Sequence, residues 1–109
     1  MVFILTKKTK LEIKMNLGKV VGTVVCSSRD DGIKGARYLL IERSNQHGEK
    51  KGDFLVALDL IGANYDELVM VSEGSPARET QSTINKPLDA VIVGIIDMID
   101  ENDKIVYKK

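Results

Sequence analysis

The chain begins to alternate regularly at Leu17, and from there it reads as a series of short strands. "LGKVVGTVVCS" (17–27) is rich in valine, and Gly18 and Gly22 interrupt it four residues apart. Glycines inside a strand mark bulges, bends or close backbone approach, and strong bending is what a small closed barrel requires. A turn-rich loop, "SRDDGIKG" (28–35), leads to a second strand, "ARYLLIER" (36–43), with Leu39 and Ile41 on one face and Tyr38, Leu40 and Glu42 on the other. "SNQHGEKKGD" (44–53) is a polar hairpin connection. The third strand, "FLVALDL" (54–60), aligns Phe54, Val56, Leu58 and Leu60 on one face. "IGANYDE" (61–67) is a loop and "LVMVSE" (68–73) a fourth strand.

The remaining pattern changes character. Gly74 is placed to end the fourth strand. Ser75 is an N-cap residue and Pro76 suits a first helical position, so one short helical turn is expected at about 75–80. The capping box is incomplete, because Arg78 stands where an acid or amide would close it. After Pro87 comes the most apolar stretch, "LDAVIVGIIDMI" (88–99), with Val91, Val93 and Ile95 on one face and Ile92 and Ile96 on the other. A strand apolar on both faces is buried on both. One small subunit cannot easily supply both covers, and contact with another subunit would. "DEND" (100–103) reads as a turn and "KIVYKK" (104–109) as a last strand. The sum is an all-β fold: a small OB-like Greek-key β-barrel of about five strands with one short helical turn.

Composition narrows the function. A chain of 109 residues holds one modest core and little room for a deep active site. Sixteen basic residues balance sixteen acidic ones. A general nucleic-acid binder shows a basic excess, and weak net repulsion suits a protein that associates. The single cysteine, Cys26, permits no internal disulfide and fits a reducing, cytoplasmic setting; its apolar neighbours predict a buried, inert thiol. No apolar run reaches the roughly 18–20 residues of a membrane helix. Residues 1–14 lack glycine and precede a second methionine, Met15. They read as an N-terminal extension, either translated upstream sequence or an expression remnant, or else a genuine extension with an extra edge strand at "FILT", with the domain proper spanning 15–109.

The common chemical motifs are absent or incomplete. There is no P-loop, no Rossmann glycine fingerprint and no CxxC or histidine pair, so neither a cofactor nor a metal is expected. The lone histidine, His47, reads as a turn residue. Asp97, Asp100 and Asp103 lack the glycine-containing frame of a calcium loop. Asp59, Asp66 and Glu67 flank the "IGANY" loop and could do acid–base work, but nothing nearby in sequence completes a site. Ser75 in "GSPAR" has no base at a recognisable spacing. Five scattered aromatics without basic interleaving do not advertise nucleic-acid binding, although the fold would permit it. Three readings therefore stand: a structural protein that works by assembly, an OB-fold module for single-stranded nucleic acid, and a small enzyme using the carboxylates around Asp59.

Three segments together, "MNLGKVVGTVVCSSRDDGIKGARYLLIE", "VALDLIGANYDELVMVSEGSPAR" and "KPLDAVIVGIIDMI", resemble the EutN/CcmL family of pentameric vertex proteins from bacterial microcompartment shells. The most specific part is D-x-x-G-A followed by G-S-x-A-R and P-x-D-A-x-x-V-x-I-I-D. The resemblance runs from Met15 to about Tyr107. It implies an OB-like barrel, a cyclic homopentamer at the fivefold corners of a polyhedral shell, hexameric shell proteins as partners, and no enzymatic activity, nucleic acid or membrane. It also implies that Gly62, Ala63 and Asn64 line a central pore. Gly74, Ser75, Ala77, Arg78 and Asp89 would then lie at the subunit interface. Asn64 departs from the family pattern, which has glycine there. Asparagine tolerates left-handed backbone angles, so the turn is expected to survive with an added side chain that narrows the pore or lines it with polar atoms.

Overall fold

The computed structural model describes residues 14–26, 37–74 and 90–109. Five strands close into a barrel: β1 (Lys14–Val24), β2 (Arg37–Ser44), β3 (Lys50–Asp59), β4 (Leu68–Glu73) and β5 (Ala90–Ile95). Their order around the barrel is β1-β2-β3-β5-β4, and a two-stranded sheet of β6 (Met98–Glu101) and β7 (Lys104–Lys108) stands apart from it. β1 makes the closure: Lys14–Lys19 pair with β4, and Gly18–Val24 pair with β2. The β3–β5 seam is parallel and short, joining only Leu58 to Val91 and Asp59 to Ile92.

The glycine pair of β1 behaves as the pattern predicts. Gly18 is buried at a close approach, where a Cβ would collide with the Ile41 side chain and lie 3.0 Å from the Glu42 carbonyl oxygen. The register between β1 and β2 slips between Val20 and Gly22, which inserts Val21 as a bulge. The two features let one strand bend enough to serve both sides of the barrel.

Inside lie Val20, Leu39, Ile41, Ala57, Ala63, Val69, Val71, Ala90 and Ile92, with Leu55 and Ile95 packed against them. Burying side chains the size of Leu39 or Ile41 stabilises the fold by about 1.5–3 kcal/mol each. β2 faces as its alternation indicates. β3 does not. Its interior residues are Leu55 and Ala57, whereas Phe54 is 51% and Val56 45% exposed, and Leu60 is exposed too. The register gives the reason. Leu39 and Ile41 point inward, and their direct partners, Ala57 and Leu55, must share that face. The larger alternating set of β3 therefore lies on the outer wall, where only Leu58 is buried.

The apolar stretch at 88–99 is not one strand. β5 ends at Ile95, and Met98 opens β6. Two-sided burial holds for Ala90, Val91 and Ile92, while Val93 is exposed. Ile92 opposes Val71, Gly94 opposes Met70 and Ile95 opposes Val69, so four residues of β5 span three of β4. This bulge at Val93 moves Ile95 to the face of Ile92, against strict alternation. The connection read at 44–53 is also shorter, because β3 already begins at Lys50. The acidic turn shrinks to Asn102 and Asp103, both with positive φ (55° and 65°), while Asp100 and Glu101 belong to β6. Cys26 is exposed rather than buried, since β1 ends at Val24 before reaching it. His47 sits in an exposed turn, as expected. The loop read at 28–35 and the helical turn read at 75–80 lie outside the described residues, as do residues 1–13.

Candidate functional site: the 60–67 loop and the outer walls

The loop between β3 and β4 is organised by the last residue of β3. The side chain of Asp59 is buried and points under the loop. Its Oδ1 accepts the N–H groups of Ile61 (3.2 Å) and Gly62 (3.1 Å), and both oxygens accept the N–H of Ala63 (3.3 and 3.2 Å). From the neighbouring strand, Arg37 donates through Nη2 to Asp59 Oδ2 (2.6 Å) and to the Ala63 carbonyl (2.8 Å). Arg37 and Asp59 are direct cross-strand partners, so the sheet register brings them together. Burial alone would push the Asp59 carboxyl up. The Arg37 guanidinium and the N–H groups of Ala63 and Ile61 outweigh it and hold the carboxyl below its ordinary range.

The far end of the loop is held by a second carboxylate. Glu67 accepts the Asn64 N–H through Oε1 (2.7 Å) and the Lys109 ammonium through Oε2 (2.7 Å). Those two donors keep its carboxyl below the usual range. The backbone is stitched to the β1 bulge, with Asp66 N–H donating to the Val20 carbonyl (2.8 Å) and Val20 N–H to the Glu67 carbonyl (3.0 Å). Lys19 approaches Asp66 at 3.5 Å.

Of the residues expected at a pore, Gly62 and Asn64 are exposed, and the Ala63 methyl is buried in the barrel core. Gly62 has φ 83° and Asp66 φ 69°; Asn64 is not among the residues with positive φ. Its tolerance of left-handed angles is therefore not what preserves the turn, because position 64 does not demand such an angle. Of the residues expected at a joint, Gly74 follows β4 with φ 82°. Ser75, Ala77, Arg78 and Asp89 lie outside the described residues.

Sequence reasoning missed three things here. It did not find Arg37, which lies 22 positions from its partner, nor the Lys109 contact with Glu67. It also missed the cluster just before Gly74. There Arg43 grips Glu73 with two nitrogens (2.7 and 3.1 Å), Asn16 donates to Glu73 (2.6 Å) and Arg43 Nε approaches Asp53 at 3.2 Å. The bond to Glu73 raises the Arg43 pKa further above its usual value, against the opposing effect of burial. β1 lies between the strands that supply these partners, so only barrel closure brings them together.

Of the carboxylates read as possible acid–base groups, Asp59 and Glu67 are thus occupied in holding backbone, and Asp66 faces Lys19 at the surface. Among the described residues, no group of three or more His, Cys, Asp or Glu could hold a metal ion, and no helix is long and apolar enough to cross a membrane. Exposed apolar side chains on the outer walls include Phe54 and Val56 on β3, and Met70 and Val93 on β4 and β5.

A closed barrel whose ionisable groups brace a loop, with apolar side chains on its outer walls, defines a structural assembly module. The family model described as ethanolamine utilisation protein EutN/carboxysome matches residues 15–97, and the chain belongs to this EutN/CcmL family. The carboxysome shell vertex protein CcmL of Thermosynechococcus vestitus is 37% identical over 95 residues, covering 87% of this chain and 96% of that protein. The microcompartment shell vertex protein EutN of Salmonella typhimurium is 33% identical over 99 residues, covering 91% of this chain and all of that protein. Among solved structures, CcmL of a Nostoc species superposes with a TM-score of 0.80 at 37% identity, covering 86% of this chain and 99% of that one. The pentameric shell protein GrpN of Rhodospirillum rubrum gives 0.69 at 35% identity, covering 81% and 99%. The chain is accordingly a structural protein of the microcompartment shell vertex and not an enzyme.

Proposed function

We propose that five copies of this chain form a closed ring that caps a fivefold vertex of the shell and meets hexameric shell proteins at its rim. The observation that carries the ring is the placement of exposed apolar side chains on the outside of β3 and on the outside of β4 and β5. Phe54 and Val56 stand on the outside of β3, in the sheet that β1 forms with β2 and β3. Met70 and Val93 stand outside the sheet that β1 forms with β4 and β5. A cyclic ring needs two different complementary surfaces on every subunit, and two such walls supply them. The GrpN neighbour, described as pentameric, supports the number five.

In this ring, Gly62 and Asn64 border the central opening, Ala63 contributes through its backbone, and the Asn64 side chain narrows the opening or adds polar atoms to it. Gly74, Ser75, Ala77, Arg78 and Asp89 belong to the joint, with Arg78 donating hydrogen bonds to the next subunit. Native mass spectrometry tests the reading. The wild type is expected as five 12.1 kDa chains, and Val56→Glu, which places a charge on the outer wall without touching the core, should release folded monomers. A wild type that stays monomeric at micromolar concentration overturns the ring, as does a Val56→Glu protein that remains fully pentameric.

A further inference from the structure

The 60–67 loop spends its backbone donors inward. Four successive N–H groups, from Ile61 to Asn64, end on two carboxylates: Asp59 takes the first three and Glu67 the fourth. Neither carboxylate belongs to the loop's exposed tip. Asp59 is the end of β3 and is 4% exposed, and Glu67 immediately precedes β4. The side chains at the tip are turned outward, with Ile61 46% and Tyr65 71% exposed. The loop's shape is thus set from beneath by strand ends, and its surface side chains are left free to face a partner.

We infer that Asp59 is the positioning residue of this loop in the assembled vertex ring, with Arg37 orienting its carboxylate and Glu67, held by Lys109, fixing the loop's other end. The link to assembly rests on the ring reading above; the positioning itself does not. A loop already fixed in its bound shape loses less entropy when copies meet, so Asp59 favours ring formation without touching the neighbouring subunit. The arrangement also ties the loop to the β6–β7 hairpin, because Lys109, next to β7, donates its backbone N–H to the Asp97 carbonyl (2.9 Å) while its ammonium holds Glu67.

Site-resolved amide hydrogen exchange tests this on whatever oligomer the full chain forms. Asp59→Asn replaces one acceptor oxygen by an NH2 group that faces Arg37 and the Ala63 N–H. Exchange at Ile61, Gly62 and Ala63 should quicken by about tenfold or more, the effect of losing charge-assisted hydrogen bonds, while Leu39 and Ile41 keep their wild-type protection. Equal acceleration in the barrel strands would make Asp59 a general stabiliser and overturn the assignment, and so would unchanged loop exchange. Arg37 is half exposed, so Arg37→Met should fold even if the Asp59 variant does not. It should quicken the same three amides by a smaller factor, and no change there also overturns the assignment. Native mass spectrometry of the same variants reads the second half. A quickened loop with a weakened ring supports it, and a quickened loop with an intact ring overturns the link to assembly. A wild type that forms no ring would sink the vertex reading while leaving the exchange result valid.

Discussion

Two connections in this barrel use the same local device in different surroundings. In the β2–β3 turn, Asn45 Oδ1 accepts the N–H groups of His47 (2.9 Å) and Glu49 (3.0 Å). In the β3–β4 loop, Asp59 plays that part for Ile61, Gly62 and Ala63. Each includes a glycine in the left-handed region, Gly48 at φ 80° and Gly62 at φ 83°. The Asn45 turn is at the surface and completes itself from its own residues, with Asn45 Nδ2 donating to Glu49 (2.8 Å). The Asp59 loop lies over a buried charge and needs a guanidinium from another strand. Water can stand in for a missing partner in the first and not in the second.

The comparison breaks hardest at Asp59. Asp59→Ala leaves three N–H groups without their acceptor and Arg37 Nη2 with only the Ala63 carbonyl, and the expected loss is about 2–4 kcal/mol, read by urea unfolding at fixed protein concentration. Its pH dependence sharpens the same point. The folded Asp59 carboxyl lies below its ordinary value of 3.8. Its stabilisation is therefore complete above that value and is lost as pH falls through the lower, folded one. Glu67 shifts in the same direction. The wild type should lose stability progressively in that acid window, and Asp59→Ala should show a shallower acid limb.

The glycines separate the two connections next. A Cβ on Gly48 would meet the Tyr107 ring at 2.8 and 2.9 Å, whereas one on Gly62 would meet nothing within 4 Å. Gly48→Ala should cost about 2–3 kcal/mol, backbone strain plus overpacking, and should free the β6–β7 hairpin, seen as faster exchange at Tyr107. Gly62→Ala should cost only the backbone strain, about 1 kcal/mol. Smallest of all, Asn45→Ala should cost about 0.5–1 kcal/mol, because water reaches the released N–H groups. Equal thermal shifts for Asn45→Ala and Asp59→Ala would erase the distinction.

Much of this was legible in advance. The valine-rich strand with Gly18 and Gly22 announced a bent β1, the alternation of β2 placed Leu39 and Ile41 correctly, and the ordered motifs from Met15 onward pointed to the family. The face of β3 was not legible. Phe54, Val56, Leu58 and Leu60 form a better apolar stripe than Leu55 and Ala57, and alternation cannot tell an inner wall from an outer wall meant for a partner. Asp59 stood in a recognised motif, but its role did not show, because a buried carboxylate and a catalytic one look alike until their donors are seen.

By itself, the sequence determined the class of fold, the first four strands in outline and the family, since these follow from short-range alternation, glycine placement and ordered motifs. Tertiary structure alone decided which wall each strand presents, where the bulges reset alternation, and what Asp59 and Glu73 hold. The physical reason is that a barrel pairs residues by register across closed strands. Arg37 meets Asp59, and Arg43 reaches Glu73 across β1, through contacts that no local pattern along the chain encodes.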